Sequence, residues 1–515
     1  MWREQALTKL TSEAFDVLVI GGGATGAGIA LDAAGRGLRV ALLERADFSE
    51  GTSSRSTKLL HGGVRYLELA VKRLDRAQFR LVKDALHERH TLLRLAPHLA
   101  STVPLITPLY SWFELPYYYI GLKAYDLLAG AGYRIGSSRL FGRQETLRRL
   151  PGLRPDGLRG SVMYFDGRFD DSRMNLALVR TAAAHGAAVL NHAEVTQLLV
   201  ESGRVVGASF NDNVGGATHE VRARVVINAT GPFVDHVRKL DNPQAADTLT
   251  ASSGTHIVLA GEHLPGGSGM LIPKTDDGRV LFLLPWQGHT LVGTTDNPAV
   301  AEADPKAPEE DVDYLLDYLG RYMQRTFTRA DVLSAWVGFR PLVKPQKSVS
   351  TARITRDHHI EVSAQGLVTV TGGKWTTYRL MASDALDRAV TTAGLTAGPS
   401  RTANTPLVGA EGYGPQLASE LAAEFGLAAD VAEHLAHAYG GEAHSVAALG
   451  RQHGLLERLH PAHPYVEAEV VWSKEQEYAV SADDVLERRL RLGFLDREAA
   501  INVVERTEAL LARTI

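Results

Sequence analysis

The chain has 515 residues, 45% hydrophobic and 22% charged, and no cysteine, which excludes disordered and collagen-like polymers, disulfides, thiol catalysis and Cys-ligated zinc or iron–sulfur centres. No long apolar run suggests a membrane-spanning helix, and Met1–Glu13 lacks the basic-then-apolar pattern of a secretion signal, so a cytoplasmic protein is expected. The net charge of −4 is unevenly spread: residues 55–154 hold 17 basic and 7 acidic side chains, whereas residues 401–515 hold 10 and 18.

Asp16-Val17-Leu18-Val19-Ile20 is a short apolar run with β-branched residues and reads as a buried parallel strand. A glycine-dense turn from Gly21 to Gly28, a small-residue helix from Ile29 to Arg36 and a second buried strand over Arg39–Leu43 complete a βαβ unit. Ser56 to Pro97 is patterned as a largely helical, strongly basic stretch, and Leu105 to Gly130 is rich in aromatics. Arg222–Ile227 reads as a strand, and residues 254–297 alternate short strands and turns as in an antiparallel sheet. Leu367–Val370 leads through Gly372-Gly373 into a helix that ends near Gly394. A loop over 398–406 sets a domain boundary near residue 400, beyond which the pattern is mainly helical with a break at His460 to Pro464.

Gly21-x-Gly23-x-x-Gly26 follows a strand and opens a helix, the context in which a glycine turn lets backbone approach a pyrophosphate at a helix N-terminus. Glu44 ends the second strand, where its carboxylate can accept from ribose hydroxyls and disfavours a 2′-phosphate. Three further features favour FAD over NAD. The hydroxyl-rich loop Gly51-Thr52-Ser53-Ser54-Arg55-Ser56-Thr57-Lys58 can reach pyrophosphate and flavin. The strand-end turn Asn228-Ala229-Thr230-Gly231 can sit beside the adenine-side ribose. Gly372-Gly373-Lys374-Trp375-Thr376-Thr377-Tyr378 opens a helix whose N-terminus can stabilise negative charge on a reduced flavin.

On these residues, together with Lys58-Leu59-Leu60-His61-Gly62-Gly63-Val64-Arg65-Tyr66-Leu67, Gly293-Thr294-Thr295-Asp296 and Gly338-Phe339-Arg340-Pro341-Leu342, the chain resembles the FAD-dependent glycerol-3-phosphate dehydrogenase family of D-amino-acid-oxidase-like flavoproteins. The resemblance implies an α/β fold with a Rossmann-like FAD-binding domain, an interleaved antiparallel-sheet substrate domain and a C-terminal helical domain. On that plan residues 1–399 form the oxidoreductase region, with FAD-binding parts about 1–65, 160–240 and 335–399 and substrate or cap parts about 66–159 and 241–334; residues 400–515 form the helical domain, a cap or homodimer element. It implies FAD contacts from Gly21, Gly23, Ala24, Thr25, Gly26, Glu44, Arg45, Thr52, Ser53, Ser54, Ser56, Lys58, Leu60, His61, Gly62, Val195, Ala229, Thr230, Gly231, Gly373, Lys374, Trp375, Thr376 and Thr377. Non-covalent attachment is expected, although His61 stands near the place where some flavoproteins bond FAD covalently. No metal is expected.

The implied reaction is oxidation of sn-glycerol 3-phosphate to dihydroxyacetone phosphate, with electrons passed to membrane quinone. A phosphorylated polyol needs cationic donors, and Arg65, Arg340 and Lys374 sit at element ends, with Tyr66 and His256 beside them by resemblance. His256 is the candidate base for the C2 hydroxyl proton, Arg340 the candidate for the developing alkoxide, and Arg65 and Lys374 for the phosphate, with these roles exchangeable. The basic block, with Lys72, Arg73, Arg76, Arg80, Lys83, Arg89 and Arg94 at helical spacing, flanks Tyr110-Ser111-Trp112-Phe113-Glu114-Leu115-Pro116-Tyr117-Tyr118-Tyr119-Ile120. That combination suits peripheral association with an anionic membrane surface, at the inner face of the cell membrane, and no nucleic-acid motif accompanies it. An oxidase that uses O2, an amine or amino-acid oxidase on the same fold, and a flavin-binding protein without turnover remain the alternatives.

Overall fold

The computed structural model describes residues 2–63, 76–130, 132–264, 266–344 and 358–514. Its first sheet has a parallel core of strands Val368–Gly372, Thr218–Asn228, Ala14–Ile20, Val40–Leu43 and Ala188–Leu190, side by side in that order. The register pairs Val17 with both Val40 and Val225, and buried Val, Leu and Ile fill both faces, as a doubly covered parallel sheet requires. Helix Ala24–Gly35 packs on this sheet against helices Asp171–Ala184 and Tyr378–Ala393.

The glycine turn is shorter than its composition suggested. Gly23, in extended backbone, is already the N-cap, and Thr25 to Gly28 are helical. Glycine costs helix stability, but close packing requires it here: a Cβ on Gly26 would collide with the carbonyl oxygen of Gly21.

The second sheet is mostly antiparallel. Strand Leu249–Ala260 runs beside Ser334–Val343 on one side and, on the other, is followed by His289–Gly293, Leu281–Trp286, Gly269–Ile272, Ala100–Leu109 and Gly160–Phe169. Strands Gly160–Phe169 and Ser334–Val343 thus lie in this sheet, although they open the pieces 160–240 and 335–399 expected on the cofactor side. The chain changes sheet inside those pieces, and their apolar runs carry no mark of which sheet they join.

The basic stretch also differs from its sequence reading. Leu59–Leu60 pair as a strand, and Arg76–Leu95 form a helix. At the start of the stretch the Ser56 amide and hydroxyl bond to Asp171 instead of entering a helix ladder. Arg89 is buried, bonded to Asp166 at 2.6 Å, so the helix does not turn all its cations outward.

The C-terminal region, from helix Leu417–Phe425 to helix Val504–Leu511, shares a core with Trp286 and Trp336 of the second sheet. Its helices Ala443–His453 and Glu467–Gln476 flank the break read at His460 to Pro464. Buried ion pairs join it to the rest. Glu477 accepts both terminal nitrogens of Arg173 at 2.8 and 2.9 Å, and Asp47 accepts from Arg488 and Arg489.

Candidate functional site

A cleft opens at the carboxyl ends of four parallel strands, where Ile20, Glu44, Ala229 and Gly372 emerge, the usual place for a ligand in an open α/β sheet. Its lining includes Gly21, Gly23, Ala24, Thr25, Glu44, Arg45, Thr52, Ser53, Val195, Ala229, Thr230, Gly231, Gly373, Lys374 and Trp375. The residues suit a dinucleotide. No side chain caps the helix Ala24–Gly35, so its N-terminus faces the cleft with its amides available to an anion, apart from the Ala24 N–H, which donates to Ser53 Oγ at 2.9 Å. A Cβ on Gly23 would come within 2.9 Å of that hydroxyl and fill the cradle. Glu44 holds the turn by accepting from the Gly22 and Ala46 amides at 2.6 and 3.1 Å, and burial pushes its pKa up. Asn175 supports the same turn from behind, donating to the Gly22 carbonyl at 2.8 Å.

Residues 52–62 are gripped from several elements at once. Thr52 donates to the Phe339 carbonyl at 2.6 Å, and the Trp375 indole donates to the Ser53 carbonyl at 2.9 Å. The Ser56 amide and hydroxyl both donate to Asp171, and the His61 amide donates to Thr376 Oγ1 at 3.2 Å. The Gly62 amide donates to the Tyr125 hydroxyl at 2.7 Å, which itself donates to Asp166.

His256 and Arg340 stand on paired strands of the second sheet. His256 faces Trp336 across the ladder, and the rings stack at 4.2 Å between centroids. His256 Nε2 lies 3.0 Å from Thr57 Oγ1. Burial first, then the positive charges of Lys58 and Arg340, hold the imidazole pKa well below 6.5, so the ring is neutral. Arg340 donates to the carbonyls of Ser253 and Thr295, both at 3.1 Å, and packs against Gly254, where a side chain would displace it. Lys374 lines the cleft just before the turn Trp375–Thr377.

The expected site residues separate into groups. Gly26, Ser54, Ser56, Leu60, His61, Gly62, His256, Arg340, Thr376 and Thr377 lie outside the cleft lining, in the turns, strands and helix around it. Lys58 does not reach toward the cleft: all three of its N–H donors are taken by Ser54 O, Ser56 O and Asp171 Oδ2, at 2.7, 3.1 and 2.7 Å. Burial lowers its pKa to about 7 against the pull of Asp171. Arg65 and Tyr66 lie outside the described residues, as do Lys72 and Arg73. Asp171, Trp336 and Arg491 belong to no motif in the sequence, and Thr57 is marked there only as part of the hydroxyl-rich loop. Asp171 follows the helix N-cap Asp170, and Arg491 sits in a motif-free acidic tail.

Comparison with known proteins places this geometry. Residues 16–379 match the family "FAD dependent oxidoreductase", and residues 400–515 match "C-terminal domain of alpha-glycerophosphate oxidase". The chain is 47% identical over 524 residues to the mitochondrial glycerol-3-phosphate dehydrogenase of Homo sapiens, covering 99% of this chain and 72% of that protein. It is 45% identical to a mitochondrial glycerol-3-phosphate dehydrogenase of Arabidopsis thaliana, covering 99% of this chain and 84% of the other. The crystal structure of the Bacillus halodurans glycerol-3-phosphate dehydrogenase complexed with FAD superposes with TM-score 0.77 at 28% identity, over 99% of this chain and 98% of that one.

Proposed function

The chain belongs to the FAD-dependent glycerol-3-phosphate dehydrogenase family, and from that premise we propose that it oxidises sn-glycerol 3-phosphate to dihydroxyacetone phosphate with non-covalent FAD and passes the electrons to membrane quinone. Near-full-length identity to dehydrogenases of that name carries the reading. FAD supplies the hydride acceptor. The chain supplies binding and proton handling. Gly21 to Thr25 and Ser53 would hold the pyrophosphate, Glu44 and Thr230 the ribose hydroxyls, and Lys374 and Trp375 the flavin end. Lys374, with Arg65, holds the substrate phosphate, and Arg340, immobilised on its two carbonyls, stabilises the alkoxide that forms at C2. Neutral His256 takes the C2 hydroxyl proton. Burial is the main cause of its low pKa, and the negative phosphate offsets the smaller effect of the Lys58 and Arg340 charges when substrate is bound. Anaerobic glycerol 3-phosphate should bleach the flavin absorbance within seconds, and a flavin that stays oxidised would overturn the reading. An oxidase using O2 would share this site, and peroxide yield against quinone-analogue reduction separates the two.

For delivery to quinone we propose association with an anionic membrane surface through helix Glu114–Ala129. Phe113 and Ile120 are 89% and 68% exposed, and Trp112, Tyr117, Leu127 and Leu140 are exposed beside them. Arg134, Arg139 and Arg148 are exposed nearby in the chain and suit anionic headgroups. Among the described residues no helix is long and apolar enough to cross a membrane.

A further inference from the structure

The C-terminal domain reaches the loop beside His256 through Phe494, whose ring lies under Arg55 and Lys58, and through Arg491, which bonds the loop's backbone. Arg491 is fully buried and donates from Nη2 to the Ser54 carbonyl at 2.7 Å. The same nitrogen lies 3.5 Å from Asp171 Oδ1, and Nη1 donates to the Glu487 carbonyl at 2.9 Å. The other oxygen of Asp171 accepts from the Ser56 amide, the Ser56 hydroxyl and Lys58. Lys58 in turn bonds the carbonyls of Ser54 and Ser56 and lies 4.4 Å from the Trp336 ring centroid. Trp336 is the ring that stacks on His256.

Arg491 adds a second basic side chain to the buried Lys58–Asp171 pair, and a guanidinium in a dry site is costly unless its donors are used. What the extra guanidinium grips is backbone. Together the three side chains bond the Ser54 carbonyl, the Ser56 amide and the Ser56 carbonyl, all in the turn that presents the Thr57 hydroxyl to His256 Nε2 at 3.0 Å. That contact holds the Nε2 edge of the imidazole, whose face is held by the Trp336 stack.

We propose that Arg491 is a positioning residue for the proton-transfer step: with Asp171 and Lys58 it fixes the 54–58 turn so that Thr57 orients His256, which makes the C-terminal domain a working part of the active site. The inference rests on His256 as the proton acceptor of the proposed reaction.

The test is a double-mutant cycle on the holoenzyme. In R491M the rate constant of flavin reduction by glycerol 3-phosphate, followed by stopped flow, should fall at least about tenfold while substrate affinity stays within about threefold, and R491K should recover part of the rate. In a T57V background, where the path to His256 is already cut, R491M should have no further effect. Without substrate, R491M should shift the His256 ε1 proton resonance in NMR. An R491M enzyme as fast as wild type, an equal fold loss in both backgrounds, or an unmoved His256 resonance overturns the inference. If R491M is not recovered as a flavoprotein, R491K replaces it in the cycle under the same criteria. Wild-type enzyme that glycerol 3-phosphate fails to reduce overturns the functional reading instead, and the substrate-free resonance still judges the role of Arg491.

Discussion

Replacing His256 with Gln separates its chemistry from its packing. The amide is close in size, can keep a hydrogen bond to Thr57 Oγ1, and cannot accept a proton near neutral pH. The stacked contact with Trp336 is lost, about 0.5–1.5 kcal/mol for an aromatic pair, so the variant should fold and hold FAD with a modest loss of stability. Removing a general base costs roughly 10²- to 10⁴-fold in rate, about 3–5 kcal/mol of barrier. The catalytic loss therefore exceeds the structural one several-fold. Anaerobic stopped-flow bleaching of the flavin by glycerol 3-phosphate reads the rate constant directly, and its substrate dependence reads affinity. A reduction rate within about threefold of wild type, with only the affinity weakened, would refute the base assignment and leave His256 as a binding group.

Four other outcomes are expected. Glu477→Gln leaves Arg173 without its buried carboxylate, while Arg180 keeps Glu442, and should cost about 3–5 kcal/mol in urea unfolding; a loss below about 1 kcal/mol would show the domain contact is dispensable. Gly26→Ala should give protein without bound FAD, since the added methyl meets the Gly21 carbonyl, and a normal flavin spectrum would count against the cradle geometry. The buried His98 has its pKa lowered to about 3, first by desolvation, so the unfolded chain takes up its proton first as pH falls below about 6.5. Stability from that group is therefore present above about pH 6.5 and lost below it, and the gap between wild type and His98→Gln should shrink by about 2 kcal/mol from pH 7.5 to pH 5; a constant gap contradicts the shift. Changing both Phe113 and Ile120 to Glu should abolish co-sedimentation with anionic vesicles at low salt, with the flavin spectrum confirming the fold; undiminished binding would move the membrane surface elsewhere.

The cofactor half of the site was legible because its physics is local. A strand, Gly21-x-Gly23-x-x-Gly26 and a helix are contiguous, and Glu44 lies one short strand further on, so the motif itself specifies the turn, the helix N-terminus and the carboxylate. The sheet membership of Gly160–Phe169 and Ser334–Val343 was not legible, since an apolar alternating run pairs equally well with either sheet and only long-range register decides. Lys58 was misplaced for a related reason. In sequence it belongs to a hydroxyl-rich loop that suits phosphate, but the partner that turns it inward, Asp171, is 113 residues away.

Net charge says least about the C-terminal domain. Residues 401–515 sum to −8, a figure that carries no motif and names no contact. The sum counts exposed and buried groups alike, whereas only buried charges must be paired and so report what a surface touches. In this domain the buried charges facing the rest of the chain include Arg488, Arg489 and Arg491, meeting Asp47 and Asp171, while exposed Glu420, Glu433, Glu475 and Glu508 make up part of the acidic excess. Asp47 follows Glu44, which lines the cleft, by three residues, and Asp171 pins the turn beside His256. The basic run Arg488-Arg489-Leu490-Arg491 thus ties the domain to Asp47 and to Asp171, and a homologue that kept the overall acidity but lost these arginines should keep its helices and lose the alignment of the 54–58 turn.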